Sequence, residues 1–150
     1  MIQRKQSIFL LLAFIASVVC LSLPIGTLEP TSMGASIKVF NLFITTGGGA
    51  CYSVCGLFGI LVLSSIISLA TIFLYKNRML QNRMCICNLF LLIAWYIVLG
   101  AYSRNLSTPD CTFSVKFAAC LPAISMILVF MARAGILHDE KLVRAADRIR

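Results

Sequence analysis

The chain has 150 residues, of which 60% are hydrophobic and 12% charged, and a formal net charge of +8. Soluble domains are about one quarter charged, so this composition excludes an ordinary water-soluble enzyme or binding module and places the chain in the membrane class. The positive charge follows from membrane topology, as argued below, and calls for no nucleic acid.

A hydrocarbon layer of about 30 Å is crossed by about 20 helical residues. Four segments meet that requirement: Ile8 to Ile25, Cys55 to Tyr75, Cys85 to Tyr102 and Phe113 to Ala132. Arg4 and Lys5 precede the first segment in the manner of a secretory signal. No small-x-small cleavage site follows, however, and Val19 stands before Cys20 where a lipoprotein signal would carry a small residue. The first segment is therefore expected to remain as a helix. The connections 27–54, 76–84 and 103–112 leave no room for a second domain.

In the first connection, Ser36 to Thr46 partly alternates apolar and polar residues, which suits a strand. Ile37, Phe40 and Ile44 also suit an interfacial helix. The β-branched residues and the turn at Gly47-Gly48-Gly49 weigh toward strand. Helix 2 carries small residues at Gly56, Gly59, Ser64, Ser68 and Thr71, mostly three or four apart. Such a stripe lets a neighbouring helix approach closely where lipid supplies no hydrophobic drive, either within the bundle or across a homodimer seam. Asn88 in helix 3 is expected to bond a neighbouring backbone or Arg133. Pro122 is expected to kink helix 4. Thr108-Pro109-Asp110 has the order of an N-cap, a first-turn proline and an acidic first-turn residue, which would start helix 4 early and put Cys111 in its first turn. After helix 4, Leu142, Ala145, Ala146 and Ile149 recur at helical spacing. The tail 136–150 is expected to form an amphipathic helix along anionic headgroups.

If the chain crosses four times, Arg4, Lys5, Lys76, Arg78, Arg83, Arg133, Lys141, Arg144, Arg148 and Arg150 share one side. Only Lys38, Arg104 and Lys116 fall on the other. Basic residues near helix ends stay in the cytoplasm, so both termini are expected there. The fold class expected is all-α: an integral-membrane four-helix antiparallel bundle with short extracytoplasmic loops.

Cys51-Tyr-Ser-Val-Cys55 at the outer start of helix 2, with Cys111 on the same side, is the constellation with most chemical potential. Disulfides persist outside the cytoplasm, and a helix N-terminus favours the reactive thiolate. Three readings stand: a thiol-disulfide redox centre, a structural disulfide from Cys111 to Cys51 or Cys55, or small apolar cysteines. The arrangement resembles that of four-helix membrane thiol oxidases. It departs from them in having three residues between Cys51 and Cys55 and no second outer pair beside Cys111. With His138 as the single histidine and no clustered outer carboxylates, no metal site can be assembled. No phosphate loop or nucleophile elbow occurs, so no cofactor is expected.

Three further stretches carry a resemblance: Met1 to Ala13, Phe73 to Cys85, and Asp139 to Arg150. Together they resemble a family of small four-helix inner-membrane proteins of Bacteroidota, catalogued as a domain of unknown function. The resemblance implies an inner-membrane protein with both termini inside and supplies no catalytic residues. All three stretches fall on the cytoplasmic face. There Asp139, Glu140 or Asp147 could pair with Arg4, Lys76, Arg78, Arg83, Lys141, Arg144 and Arg148 in one polar layer. The resulting expectation is a non-catalytic accessory protein presenting a basic cytoplasmic face to lipid headgroups, to a protein partner or to a second copy of itself. A redox protein at Cys51, Cys55 and Cys111 comes second, and a small transporter third.

Overall fold

The computed structural model describes residues 3–30, 36–46, 49–74, 77–107 and 111–147. It is mostly helical, with α1 (Gln3–Ser22), α2 (Cys55–Phe73), α3 (Arg78–Leu106) and α4 (Leu121–Asp147). Each helix packs against two others: α1 and α3 both touch α2 and α4. Cys55–Phe73, Met79–Leu106 and Phe117–Val143 are long and apolar enough to cross a membrane, and α1 adds the shorter apolar stretch Gln6–Ser22.

The expectation of an all-α chain is corrected by a five-stranded antiparallel sheet at one end of the helices. Its strands are β1 (Gly26–Pro30), β2 (Ile37–Val39), β3 (Ile44–Thr46), β4 (Gly49–Cys51) and β5 (Cys111–Val115). They lie in the order β4-β3-β2-β1-β5, so the segment between α3 and α4 closes a sheet otherwise built between α1 and α2. Between Ser36 and Thr46 the chain thus takes strands and no helix. Cys111 sits in β5 and not in a helical turn. Thr108-Pro109-Asp110 lies outside the described residues. Of the apolar run after Phe113, the first part pairs with β1, Phe117–Cys120 forms a short 3-10 turn, and α4 begins only at Leu121.

Pro122 consequently stands in the first turn of α4, where amide groups have no intrahelical acceptor in any case. Its missing N–H costs nothing there. At its other end α4 runs unbroken to Asp147. The tail is therefore the continuation of α4 and not a separate helix along the surface, and Ile136 and Asp139 within it are buried.

Two buried apolar clusters hold these elements together. One joins Ile25, Val39, Ile44 and Val54 of the sheet end to Leu57 and Leu61 of α2 and to Leu92, Trp95 and Leu99 of α3. The other packs Leu10 and Ala13 of α1 against Cys85 of α3 and Val129, Ala132 and Ile136 of α4. Gly26 is needed where β1 passes β5, since a Cβ there would come within 2.5 Å of the Phe113 ring.

The sheet is locked to the helices by one polar side chain. The β2–β3 turn is closed by the Phe40 amide on the Phe43 carbonyl at 2.9 Å, with the two rings stacked 4.9 Å apart. This turn drives Asn41 into the interior, where it is fully buried. The Asn41 amide donates to the Cys20 carbonyl at 2.8 Å, and its oxygen accepts from Trp95 Nε1 at 3.3 Å. The Cys20 carbonyl is among the last of α1, which no residue of the helix itself can satisfy, so one side chain caps α1 and ties it to α3. Replacing Asn41 by Leu leaves a buried carbonyl and a buried indole N–H without their partner, at about 1–3 kcal/mol each. Asn41→Leu is expected to lower unfolding stability in detergent by about 3 kcal/mol, followed by emission of the single tryptophan. A loss below about 1 kcal/mol would show that Asn41 does not couple sheet and helices.

Candidate functional site

Along the helices large apolar side chains also cover the outside, and polar side chains share the interior with the apolar clusters. Phe90, Ile93 and Ile97 of α3, Ile66 and Phe73 of α2, and Ile127 and Phe130 of α4 are exposed, Phe130 by 57% and Phe90 by 68%. Ser17, Ser64, Ser68, Thr71, Asn88, Ser125, Gln6 and Asp139 are buried. Buried polar groups must find partners: Thr71 donates to the Ile67 carbonyl of its own helix, and the others find partners on neighbouring helices.

Near mid-span, Ser64 Oγ donates to Asn88 Oδ1 at 2.6 Å, and Asn88 Nδ2 donates to Ser68 Oγ at 2.7 Å, which clips α2 to α3. Asn88 thus bonds these two hydroxyls and not Arg133. On the other side, Ser17 and Ser125 both donate to the Ala13 carbonyl, at 2.9 and 3.1 Å, and join α1 to α4. The small-residue stripe of α2 therefore divides. Ser64, Ser68 and Thr71 face the interior, while Gly56 and Gly59 are exposed, and a Cβ on Gly59 would meet nothing within 4 Å.

Farther from the sheet, two more contacts form a layer at the opposite end. Gln6 Nε2 of α1 donates to the Asp139 carboxylate of α4. Gly135 lies beneath this contact, since a Cβ there would stand 3.1 Å from Gln6 Cγ. Across the α3–α4 interface, Arg133 Nε donates to Asn82 Oδ1 at 3.0 Å. Arg83 and Lys141 are exposed at the same end and Glu140 is half-buried. Among residues expected in this layer, Lys76 and Arg148 lie outside the described residues, as do the side chains of Arg4, Arg78, Arg144 and Asp147.

Gln6 and Asn82 carried no local motif that would have singled them out. A periodic signal was nevertheless present: Gln6, Leu10, Ala13 and Ser17 step along one face of α1, as Val129, Ala132, Ile136 and Asp139 do along α4. All eight are buried. A polar residue continuing a buried apolar face is the mark of an internal polar contact.

Cys51 and Cys111 are not brought together. Cys51 lies on edge strand β4 and Cys111 on the opposite edge strand β5. Four strand spacings of about 4.8 Å put them roughly 19 Å apart across the sheet, against a Cα separation below about 7 Å for a disulfide. Cys55 opens α2, just beyond Cys51. All seven cysteines are free, with Cys51 and Cys55 exposed and Cys111 half-buried. Among the described residues no group of His, Cys, Asp or Glu is arranged to hold a metal ion.

The family model described as "Domain of unknown function (DUF4293)" matches residues 2–149. No curated protein matches the chain. The Gln6–Asp139 contact predicts measurable coupling between the first turns of α1 and the last turns of α4. A double-mutant cycle with Gln6→Ala and Asp139→Ala is expected to give about 1–2 kcal/mol, as for a charge-assisted bond moderated by a membrane setting. Additivity within about 0.3 kcal/mol would show that the contact does not join the helices.

Proposed function

The chain belongs to the DUF4293 family of unknown function, and on that premise we propose that it is an integral inner-membrane protein acting as a non-catalytic accessory or interaction protein. In this reading the four helices form an antiparallel bundle that crosses the membrane, with both termini in the cytoplasm and the sheet outside. The apolar outer surface of the helices, together with paired polar groups inside, carries the proposal. Exposed Phe90, Ile97, Ile127 and Phe130 suit hydrocarbon and not water, while the buried polar groups pair across helices or with carbonyls of their own helix, as a bilayer demands.

Orientation rests on charge. Arg4, Lys5, Arg78, Arg83, Arg133, Lys141 and Arg144 belong to the helical turns at the end where α1 begins and α4 finishes, against Lys38, Arg104 and Lys116 toward the sheet end, and this excess supports a cytoplasmic placement of the first end. α1 is a member of the bundle despite its shorter apolar stretch, because Gln6, Leu10, Ala13 and Ser17 are all buried against its neighbours.

The working surface in this reading is the cytoplasmic end. Met79 and Leu80 open α3, and Leu142 and Val143 lie near the close of α4. All four are exposed, beside exposed Arg83 and Lys141. Apolar side chains framed by cations suit an anionic surface, whether of headgroups or of an acidic protein. A photo-crosslinking amino acid placed at Leu142 in living cells is expected to give a discrete protein adduct that disappears when Arg83 and Lys141 are both changed to Gln. Crosslinks to lipid alone would contradict a role in protein interaction.

A further inference from the structure

Arg133 is the one cation of this end whose side chain is held across a helix interface among the described residues. Its Nε is committed to Asn82 Oδ1, which fixes the plane of the guanidinium and leaves the Nη donors for another partner. The partner already present is a neutral amide, so this contact orients the positive charge without cancelling it. Asp139 is six residues farther along α4, roughly 240° around the helix, and faces Gln6 of α1. The buried carboxylate and the guanidinium therefore serve different interfaces.

The depth of the site is set by α3. Asn82 is one turn from the start of α3 at Arg78, about 6 Å along the axis. In the membrane orientation proposed above, this places the guanidinium just inside the headgroup boundary, within reach of a phosphate by snorkelling. Toward the bilayer centre the surface turns apolar. Phe130 on α4 and Phe90 on α3 are both exposed, the first one turn from Arg133 and the second about two turns from Asn82. Arg83, next to Asn82, is exposed and adds a second positive charge at the same level.

We propose that the α3–α4 groove binds one anionic phospholipid, its phosphate held by Arg133 in the orientation that Asn82 imposes and its acyl chain lying over Phe130. Guanidinium suits this role because its planar fork meets phosphate oxygens in pairs. An oxygen-rich anionic headgroup supplies the negative charge that the amide of Asn82 does not. The site rests on the membrane reading and gives the basic end a defined ligand beyond general attraction to headgroups.

The test uses the full-length chain in nanodiscs of equal parts phosphatidylglycerol and phosphatidylcholine, with lipids retained after transfer to detergent counted by native mass spectrometry. The wild type is expected to retain phosphatidylglycerol preferentially. Arg133→Gln is expected to reduce that preference roughly tenfold, the loss of one charge-assisted hydrogen-bonded contact. Asn82→Asp supplies an independent arm, because it keeps the α3–α4 contact as an ion pair while neutralising Arg133 in place. It should hold the fold and lose the preference as well. Arg104→Gln, which removes one exposed cation at the sheet end of α3, should retain most of it. The proposal is overturned if the wild type shows no preference, if Asn82→Asp keeps it, or if Arg104→Gln loses as much as Arg133→Gln. Resistance to alkaline carbonate extraction is scored on the same protein. A chain that is extracted contradicts the membrane reading itself, whereas an inserted chain without lipid preference contradicts only this site.

Discussion

A polar group cut off from water must be paired, and the arrangement of this protein follows from where its polar groups are paired. Serine and threonine hydroxyls, one asparagine amide, two glutamines and one carboxylate share the interior of the helices with a leucine-rich core, while further phenylalanine, isoleucine and leucine side chains cover the outside. In water this distribution would be doubly unfavourable, with apolar surface exposed and polar groups buried. In hydrocarbon the same polar contacts become the specific forces between helices, because lipid chains solvate an isoleucine as well as another helix does. Each contact is modest, about 0.6 kcal/mol on average in such surroundings. Their value lies in selecting which helix faces meet.

The contacts fall at three levels. At the sheet end, Asn41 and Trp95 bind loop to helix, and the Tyr96 hydroxyl donates to the Ala119 carbonyl at 2.7 Å just before α4 begins. At mid-span the Asn88 and Ser125 groups link α2 to α3 and α1 to α4. At the far end Gln6 and Arg133 join α4 to α1 and α3 in turn. α4 takes part at the second and third levels and follows directly on the 3-10 turn held at the first, so one unbroken helix to Asp147, about 40 Å long at 1.5 Å per residue, runs from the sheet end to the basic end.

Much of the helical part was legible in the sequence because an apolar run of membrane length is a strong signal. The helix after Cys55 begins at that residue in both the sequence reading and the structure. Hydropathy reports the apolar part of a helix and not the helix, however. The third apolar segment, read from Cys85 to Tyr102, is the middle of a helix that includes Arg78, Arg83 and Arg104. The sheet was harder to see. Cys111 to Val115 alternates in the manner of a strand, but the adjoining Thr-Pro-Asp has the order of a helix start. What decided the outcome was pairing with Gly26–Pro30, a partner more than eighty residues away that no local pattern announces. The same holds for Asn41, whose importance comes from Cys20 and Trp95. At the basic end, charge was legible and geometry was not: which residues pair there depends on the rotation of α1, α3 and α4.

The central claim is that the helices cross a membrane with the sheet on the outer side and the basic end in the cytoplasm. Cys51 at the sheet end is exposed and offers a natural probe. A membrane-impermeant, mass-adding maleimide should therefore be applied to intact spheroplasts and to inverted inner-membrane vesicles of a variant whose other cysteines are replaced by serine or alanine. The account predicts modification of Cys51 in spheroplasts and protection in sealed inverted vesicles. The reverse pattern, or equal modification in both, would contradict it.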